Sequence, residues 1–320
     1  MAVLEAGRPG AGASGRTGGV ALDETAAGPL PGLGAVLDGF IGALDELQIQ
    51  CDLQRTGAWE ISRHHGRSHS PLAWQDSGLL RVAHEVPGAT LDPGLLLAGL
   101  ARAAEARGAG IYQHTRVREL RFERPLRLEL HAGELHAHQV LLAVNGTEHS
   151  LSPWPTAARA FFTLATATAP LTDQQMAALC GQPLRPFYTI DLPYLWGRPL
   201  PGKRILFGGG LVAADSEAEL AAVDVQQGEA ARGLASLQAR VRGLVPALAS
   251  VEFAHSWGGP ILFSLSARPF LCHHPQSPQV VVLGGYTGQG VAQSVYLARW
   301  ALEALLGRRP LPDWGQPDTA

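Results

Sequence analysis

The spacing of apolar residues predicts several helices. Between Leu33 and Leu47, apolar side chains recur every three or four residues, which predicts an amphipathic helix that ends near Gln50. Asp92-Pro93 predicts a second helix start, because aspartate caps the first turn and proline fits the first helical position. Gly108 predicts the end of that helix. Two later helices are expected, at about 218–241 and 290–306.

Strands are predicted where short apolar or alternating runs lie between turn residues. These runs are 57–61, 110–112, 117–120, 127–130, 135–144, 161–168, 188–195, 204–207 and 280–283. The middle runs predict an antiparallel meander. Val140 to Val144 and Val280 to Leu283 are continuously apolar, which suits strands buried on both faces.

Composition narrows the class of protein. The 320 residues include 25 basic and 28 acidic side chains, for a net charge of −3, with no long run of either sign. Nothing therefore favours nucleic acid or an anionic membrane surface as a partner. No apolar run is long enough to predict a membrane span, and no basic-then-apolar leader opens the chain, so a soluble protein is expected. The odd number of cysteines favours the reduced cytoplasm as its compartment.

Cysteines and histidines give no metal or disulfide signature. Cys51, Cys180 and Cys272 are an odd number without C-x-x-C spacing, so neither a disulfide framework nor a zinc site is indicated. The pairs His64-His65 and His273-His274 lack the i, i+4 spacing that places two ligands on one helical face. No metal is expected.

The N-terminal segment carries the first candidate chemistry. An apolar strand ends at Glu5 and is followed by the run from Ser14 to Gly19, which contains Arg16 between glycines. Backbone N–H groups and a guanidinium in such a run suit a pyrophosphate or the polar edge of a flavin. The alternative is a flexible surface turn that follows a strand with a surface carboxylate.

A second glycine-rich run lies near the C-terminus. It extends from Leu283 to Ala292, between a predicted buried strand and the last predicted helix. A helix N-terminus has unpaired N–H donors and partial positive charge, so it can stabilise negative charge on a ligand. By itself the run could equally be a tight turn onto a helix.

Taken together, these two runs resemble the FAD-dependent oxidoreductases of the D-amino-acid oxidase and glycine oxidase superfamily, and the likeness extends patchily to the C-terminus. The resemblance implies an α/β fold, with a glutathione-reductase-like, Rossmann-type FAD domain and an inserted mixed-sheet substrate domain. The expected FAD domain is 1–55, 90–152 and 275–320, and the expected substrate domain is 56–89 and 153–274.

In that superfamily, about 30 residues with a strand, a G-x-G-x-x-G turn and a helix precede the point at which this sequence opens. We therefore expect the first nucleotide-binding strand to be missing from this sequence, through a start assigned too far downstream or through loss of the pyrophosphate cradle. On this interpretation the 320-residue chain is less stable than an extended form and binds FAD weakly or not at all.

The resemblance also implies site residues. Thr115-Arg116-Val117 resembles the strand that contacts adenine, and Ala143-Val144-Asn145-Gly146 resembles the turn beside the pyrophosphate. The implied cofactor-binding residues are Glu5, Ala6, Ser14, Arg16, Thr17, Gly18, Gly19, Val117, Asn145, Gly146, Gly285, Tyr286, Thr287, Gly288 and Gly290. Arg204 to Gly210 and Trp257-Gly258-Gly259 resemble strand-and-turn segments of the substrate domain and are taken as structural.

The implied function is flavin-dependent oxidation of the C–N bond of an amino acid or small amine, with oxygen or another acceptor taking the electrons. Since a flavin performs the oxidation, no obligatory acid or base is expected in the sequence. The pocket candidates are Tyr188, Tyr194, Trp196, Arg198 and Arg268, of which either arginine could bind a carboxylate; each could instead be an ordinary core aromatic or surface arginine. The catalytic residues stay unassigned.

Two departures from relatives stand out. An Asp-x-x-Pro-x-x-Gly segment that many relatives carry is replaced here by Ser266 to Cys272, without the aspartate and the final glycine. Leu206 lies near the position where sarcosine-type oxidases place a lysine for the reaction with oxygen, and Lys203 precedes that strand. Two other functions stay open: a truncated non-catalytic remnant that serves as a binding module, and flavin oxidation of a hydroxy acid.

Overall fold

The structure is a computed structural model that describes residues 1–145, 151, 158–214 and 216–317. Within these residues the helices are α1 Ala13–Arg16, α2 Val36–Glu46, α3 Pro93–Ala106, α4 Asp173–Leu179, α5 Glu217–Ala222, α6 Gly228–Gly243 and α7 Gly290–Leu305. The strands are β1 Ala2–Leu4, β2 Val20–Leu22, β3 Ala58–Ser62, β4 Trp74–Gln75, β5 Leu79–Val86, β6 Gly88–Thr90, β7 Gly110–Tyr112, β8 Val117–Arg121, β9 Leu126–Leu130, β10 Gly133–Ala137, β11 Val140–Leu142, β12 Ala158–Thr168, β13 Phe187–Thr189, β14 Trp196–Leu200, β15 Arg204–Ala213, β16 Phe253–Ser264, β17 Phe270–His274 and β18 Ser277–Gly284.

The largest sheet has eight strands in the order β16-β12-β15-β14-β13-β3-β5-β4. It is mixed: β13 runs parallel to β3, and the other pairs are antiparallel. One face packs over a buried aromatic core that includes Trp59, Trp74, Phe187 and Phe207. The opposite face is therefore free to carry polar side chains and glycines.

The strands outside the eight-stranded sheet form smaller sheets, which lie beside helices. β1 pairs with β7 in parallel, β2 pairs with β6, and β8, β9 and β10 form the expected meander. β11, β18 and β17 form a three-stranded sheet in which β11 and β18 are parallel. A second apolar cluster joins α2, α3 and α7, with Phe40 and Leu297 fully buried. The expected α/β fold class is thus confirmed, while the domain boundaries stay a prediction.

Local sequence signals explain several of these elements. The side chain of Asp92 accepts a hydrogen bond from Leu95 N at 2.9 Å, so it caps α3 as predicted. Gly108 follows the helix at φ +82°, a backbone conformation that favours glycine. The expected final helix is also confirmed as α7.

Three predicted elements were wrong. Of the expected strand 188–195, only residues 188 and 189 lie in a strand, β13, and residues 190–195 form the loop that precedes β14. The expected helix 218–241 is broken between α5 and α6, where Asp224 accepts hydrogen bonds from Gln226 N and the Gln227 side chain. The apolar run from Val140 forms only the short β11 at a sheet edge, where Leu141 is 37% exposed.

The glycine segments taken as turns are also different in the structure. Gly208 to Gly210 continue β15 to Ala213, and Gly258-Gly259 lies inside β16. Among the helices described, none is long and apolar enough to cross a membrane. No group of three or more potential metal ligands was found in the part of the chain that the structure describes.

Candidate cofactor and substrate site

The C-terminal glycine run forms a tight turn that leads into α7. Gly285 and Gly288 have φ values of +70° and +89°, which residues with a side chain rarely adopt. α7 begins at Gly290 after Gln289, and no side chain caps its first turn. The N–H groups of that turn and the partial positive charge of the helix end are thus free of a protein cap.

Two other segments hold this turn in place. The side chain of Asn145 accepts a hydrogen bond from Gly285 N at 3.0 Å, so the predicted 143–146 segment and the glycine turn meet. Gly146 itself lies outside the described residues. Thr287 donates its N–H to Leu262 O at 3.2 Å, and its hydroxyl accepts a hydrogen bond from Ser264 N. The turn is thereby fixed to β16.

The N-terminal run from Ser14 to Gly19 is likewise bonded to β16. Its first half is the single turn α1. The guanidinium of Arg16 donates to Gly258 O at 3.3 Å, and the backbone carbonyl of Arg16 accepts the indole N–H of Trp257 at 2.9 Å. The two glycine-rich runs, far apart in sequence, therefore meet along one strand.

Gly18 lies against the face of the large sheet. A Cβ at Gly18 would lie 2.3 Å from the ring of Trp196, and a Cβ at Gly208 would lie 2.1 Å from the same ring. The indole is thus packed between two glycines, one on the N-terminal run and one on β15. Leu206, almost fully buried, also contacts Gly18, so this part of the face is apolar.

One row of residues crosses the face that carries Trp196. Residues directly opposite each other on paired strands project to the same face of a sheet. The register row, as we name it, consists of His84, Glu60, Tyr188, Trp196, Gly208, Ala165 and Trp257, each the Cα partner of the next. Polar groups lie at one end of the row, and the Trp257 contact to Arg16 lies at the other.

Tyr188 and Glu60 form the polar part of the register row. The hydroxyl of Tyr188 donates to Oε1 of Glu60 at 2.8 Å, and Nδ1 of His84 lies 2.9 Å from Oε2 of the same carboxylate. Burial, together with the carboxylates of Glu60 and Glu24, raises the pKa of Tyr188, so the phenol stays protonated. Glu24 is held by its carbonyl, which accepts from the Gln293 side chain of α7.

Among the pocket candidates, Arg198 has the surroundings most like those of an anion-binding residue. Its Nη2 would be 3.1 Å from a Cβ on Gly19, so its guanidinium lies against the N-terminal run. Its buried Nε has no hydrogen-bond partner among the residues described. Burial lowers the pKa of Arg198, and the nearby carboxylate of Asp92 opposes that shift.

The remaining predicted residues are more scattered. Glu5 follows β1, and its Oε1 accepts from Gly7 N at 2.7 Å; Ala6 follows it. Val117 begins β8. Tyr194 is exposed in the loop after β13, and Arg268 lies in the connection between β16 and β17. Neither Tyr194 nor Arg268 is in the register row, so the row groups only Tyr188 and Trp196 from the pocket candidates.

A buried ionic network supports the loop that carries Tyr194. Asp76 pairs with Arg63 at 2.6 Å and with Arg240 at 2.7 Å, and Arg63 also pairs with Asp191. Both arginines donate to the carbonyl of Pro193. Since these charges satisfy each other, the network is a structural support for the loop and not an open ligand site.

A depression lies beside the Arg16 contact. Its volume is about 530 Å³. It is lined by Gly15, Arg16, Phe162, Val223, Asp224, Val225, Ser256, Trp257 and Gly258. The residues that break the predicted long helix therefore face the N-terminal run.

Sequence reasoning missed several residues of this site. Glu60, His84 and Glu24 were not singled out, and Trp257 was taken as structural. An alternating strand pattern around Glu60 is the only local signal, because the contact with Tyr188 joins residues 128 apart in sequence. Lys203, noted beside the β15 strand, pairs instead with Asp173 at 2.7 Å on the surface.

Comparison with known proteins agrees with this architecture. The model of the FAD dependent oxidoreductase family, DAO, matches residues 1–304. The probable oxidoreductase OrdL of Rhizobium meliloti (strain 1021) is 27% identical over 254 residues, which are 76% of this chain and 51% of that protein. The chain therefore spans about half the length of this curated relative.

Solved structures show the same fold at low sequence identity. Glycine oxidase from Geobacillus kaustophilus is 17% identical, with a TM-score of 0.75 over 100% of this chain and 92% of that one. Iminodiacetate oxidase from Chelativorans sp. BNC1 is 15% identical, with a TM-score of 0.73 over 99% of this chain and 92% of that one. At these identities the likeness concerns the fold alone.

Proposed function

Because the chain belongs to the FAD dependent oxidoreductase family, we propose that it binds FAD and oxidises the C–N bond of an amino acid or another small amine. The observation that carries the proposal is the meeting of two separate segments on β16. Arg16 bonds to Gly258 O, and Thr287 bonds to Leu262 O. This brings the N-terminal run and the α7 turn to one edge of a sheet whose face carries Trp196 and Tyr188.

The residues present fit a flavin nucleotide. The first turn of α7 lacks a side-chain cap, and the buried Oε1 of Gln289 at that turn has no partner among the described residues. Gly18 has no space for a Cβ beside Trp196. The uncapped N-terminus of a helix can stabilise the polar edge of a flavin ring, which gains negative charge on reduction. Glycines in turn let backbone approach a ligand closely.

Each predicted cofactor residue then has a proposed part. Arg16, Thr17 and the two glycines after them would hold FAD from the N-terminal run, and Asn145 with the α7 turn would hold it from the other side. Glu5 would accept hydrogen bonds from the ribose. Ala6, Ser14, Val117 and Gly146 stay proposed backbone contacts. When bound, FAD would supply the two-electron oxidation by accepting hydride from the carbon that bears the amine.

The chain's own task is to bind and orient the substrate. Arg198 is a half-buried side chain whose Nε has no partner among the described residues, so its guanidinium can bind a substrate carboxylate through two parallel hydrogen bonds. The half-buried indole of Trp196 makes the adjoining surface apolar, which would exclude water from the reacting carbon. The imine product leaves for hydrolysis by water, and oxygen or another acceptor takes the electrons.

The test begins with the visible absorption spectrum of the purified chain after incubation with FAD and removal of free cofactor. Retained flavin bands that amines bleach under anaerobic conditions would support the proposal. Bleaching by hydroxy acids alone would favour oxidation at C–O instead. A colourless protein would contradict FAD binding by this chain and favour a non-catalytic binding module.

A further inference from the structure

A continuous hydrogen-bonded chain leads from the sheet face to solvent. Tyr188 donates to Glu60 at 2.8 Å, and Glu60 contacts His84 at 2.9 Å. The side chain of Glu60 is 18% exposed, whereas that of His84 is 61% exposed. The three groups lie on neighbouring strands as Cα partners, so the sheet register fixes their order.

The inner end of this chain lies beside the proposed site. Tyr188 is the Cα partner of Trp196, whose ring packs on Gly18 of the N-terminal run. Glu24 lies close enough for its charge to raise the pKa of Tyr188, and its carbonyl is bonded to Gln293 in the first turn of α7. The phenol is therefore near the elements that we propose to hold FAD.

An amine oxidase has a proton to remove. Alkylamines have pKa values near 10, so at neutral pH the substrate arrives as an ammonium ion. Only the neutral amine can release hydride readily, because a positive charge on nitrogen opposes the positive charge that develops at the adjacent carbon. A protein group that takes this proton would raise the fraction of reactive substrate by orders of magnitude.

We propose that Tyr188, Glu60 and His84 form a proton relay that deprotonates the substrate ammonium group and delivers the proton to solvent. This inference rests on the proposed function. The N–H bond of the ammonium breaks as its proton moves to the phenol oxygen of Tyr188, and the tyrosine proton moves to Oε1 of Glu60. The carboxyl group of Glu60 then rotates, so that the oxygen that carries the proton faces Nδ1 of His84 and transfers the proton to it. The resulting imidazolium releases its Nε2 proton to water.

The surroundings suit this direction of transfer. Besides Glu60, the charged group that acts on Tyr188 is the carboxylate of Glu24. Arg198 lies two residues beyond Trp196 on β14, and its guanidinium lies against Gly19. Among the described residues, neither Glu24 nor Glu60 pairs with an arginine or lysine, so a carboxylate remains available to accept the proton. Tyr188 stays protonated and thus both donates to Glu60 and accepts from a substrate.

The experiment compares wild type, Glu60→Gln and Tyr188→Phe, each loaded with FAD, in anaerobic mixing with a primary amine at pH values from 6.5 to 10.5. Glutamine keeps an acceptor for Tyr188 but cannot take a proton. We expect the second-order rate constant of flavin reduction to fall about 100-fold at pH 7. The loss should shrink to less than about threefold near pH 10.5, where the amine is already neutral in solution.

Glu85→Gln is the matched control. Glu85 is on β5 next to His84, projects to the opposite face and pairs with Arg185, so its pH profile should follow wild type. His84→Asn should slow the reaction at low buffer concentration, and added imidazole should restore it. These results together would support the relay.

A loss in Glu60→Gln that is equal at all pH values would indicate a structural role and overturn the relay, as would an unchanged profile. Both outcomes leave the proposed function intact. A wild-type protein that retains FAD but is reduced by no amine would overturn the proposed function, and the relay with it.

Discussion

Gly18 has no room for a side chain, because a Cβ there would lie 2.3 Å from the ring of Trp196. Gly18→Ala must therefore displace the indole or the N-terminal run. We expect a loss of about 1–3 kcal/mol in the free energy of unfolding, together with weaker FAD binding. Urea titration and flavin retention would measure these effects.

Gly12→Ala is the control for this prediction. Gly12 has φ −85°, and a Cβ there would meet nothing within 4 Å. Its stability should stay within about 0.5 kcal/mol of wild type. Equal behaviour of the two variants would contradict the packing of Trp196 on Gly18.

Arg16 is expected to contribute to FAD affinity. Its side chain is exposed, and its guanidinium donates a long hydrogen bond of 3.3 Å to Gly258 O, so it is available for an anionic group. Arg16→Ala should raise the dissociation constant of FAD about tenfold or more, the equivalent of one charged hydrogen bond. Flavin fluorescence on titration would measure it. The exposed Arg8→Ala serves as control, and an equal loss in both variants would refute a specific contact.

Asp76 is expected to be important for stability. Its side chain is 3% exposed between Arg63 and Arg240, so Asp76→Ala leaves Arg240 without its carboxylate partner and leaves the buried Arg63 with Asp191 alone. We expect a loss of about 3–5 kcal/mol in the free energy of unfolding. Asp173→Ala removes an exposed pair with Lys203 and should cost less than about 1 kcal/mol. Similar losses in both variants would show that burial of the network matters little.

The stability of the protein should fall at alkaline pH, in part through Cys272. Burial raises the pKa of this thiol to about 11 from 9.0. The unfolded chain then loses the proton first, so the contribution is complete below pH 9 and is lost as the pH rises towards 11. Between these values the stability should decline by up to about 1.4 kcal/mol per pH unit.

Cys272→Ala isolates this effect. The variant has its own packing cost, so the comparison concerns the slope of stability against pH and not its absolute value. Wild type should decline more steeply than the variant from pH 8.5 to 10. Parallel curves would show that the thiol titrates alike in both states.

Local signals in the sequence were sufficient for α2, α3 and α7 and for many strands, but not for the break between α5 and α6. The Asp92 cap and the apolar period of α2 depend on residues a few positions apart, and both predictions were confirmed. The predicted strand 188–195 failed for one local and one non-local reason. Proline cannot donate a hydrogen bond to a sheet, and the carbonyl of Pro193 is taken by Arg63 and Arg240.

The site was only half predictable for the same reason. Glycine-rich runs have a recognisable sequence form, so both the α7 turn and the Arg16 segment were singled out, and their role in cofactor binding stays a prediction. Whether Glu60 faces Tyr188 depends on which strand pairs with which, and in what register. If the register of β3 against β13 shifted by one residue, Trp59 would lie beside Tyr188 in place of Glu60. No local sequence pattern excludes that register.

The pairing of β1 with β7 has a consequence for local opening. These strands pair only with each other in the part of the chain described, through three residue pairs, and both Val3 and Tyr112 are exposed. A ladder this short opens at small free energy, so the amide of Glu5 should exchange with deuterium faster than that of Val281 in β18. Each opening of the β1–β7 ladder would release the turn at Glu5. A ligand that contacts Glu5 would therefore prolong the lifetime of this strand pair.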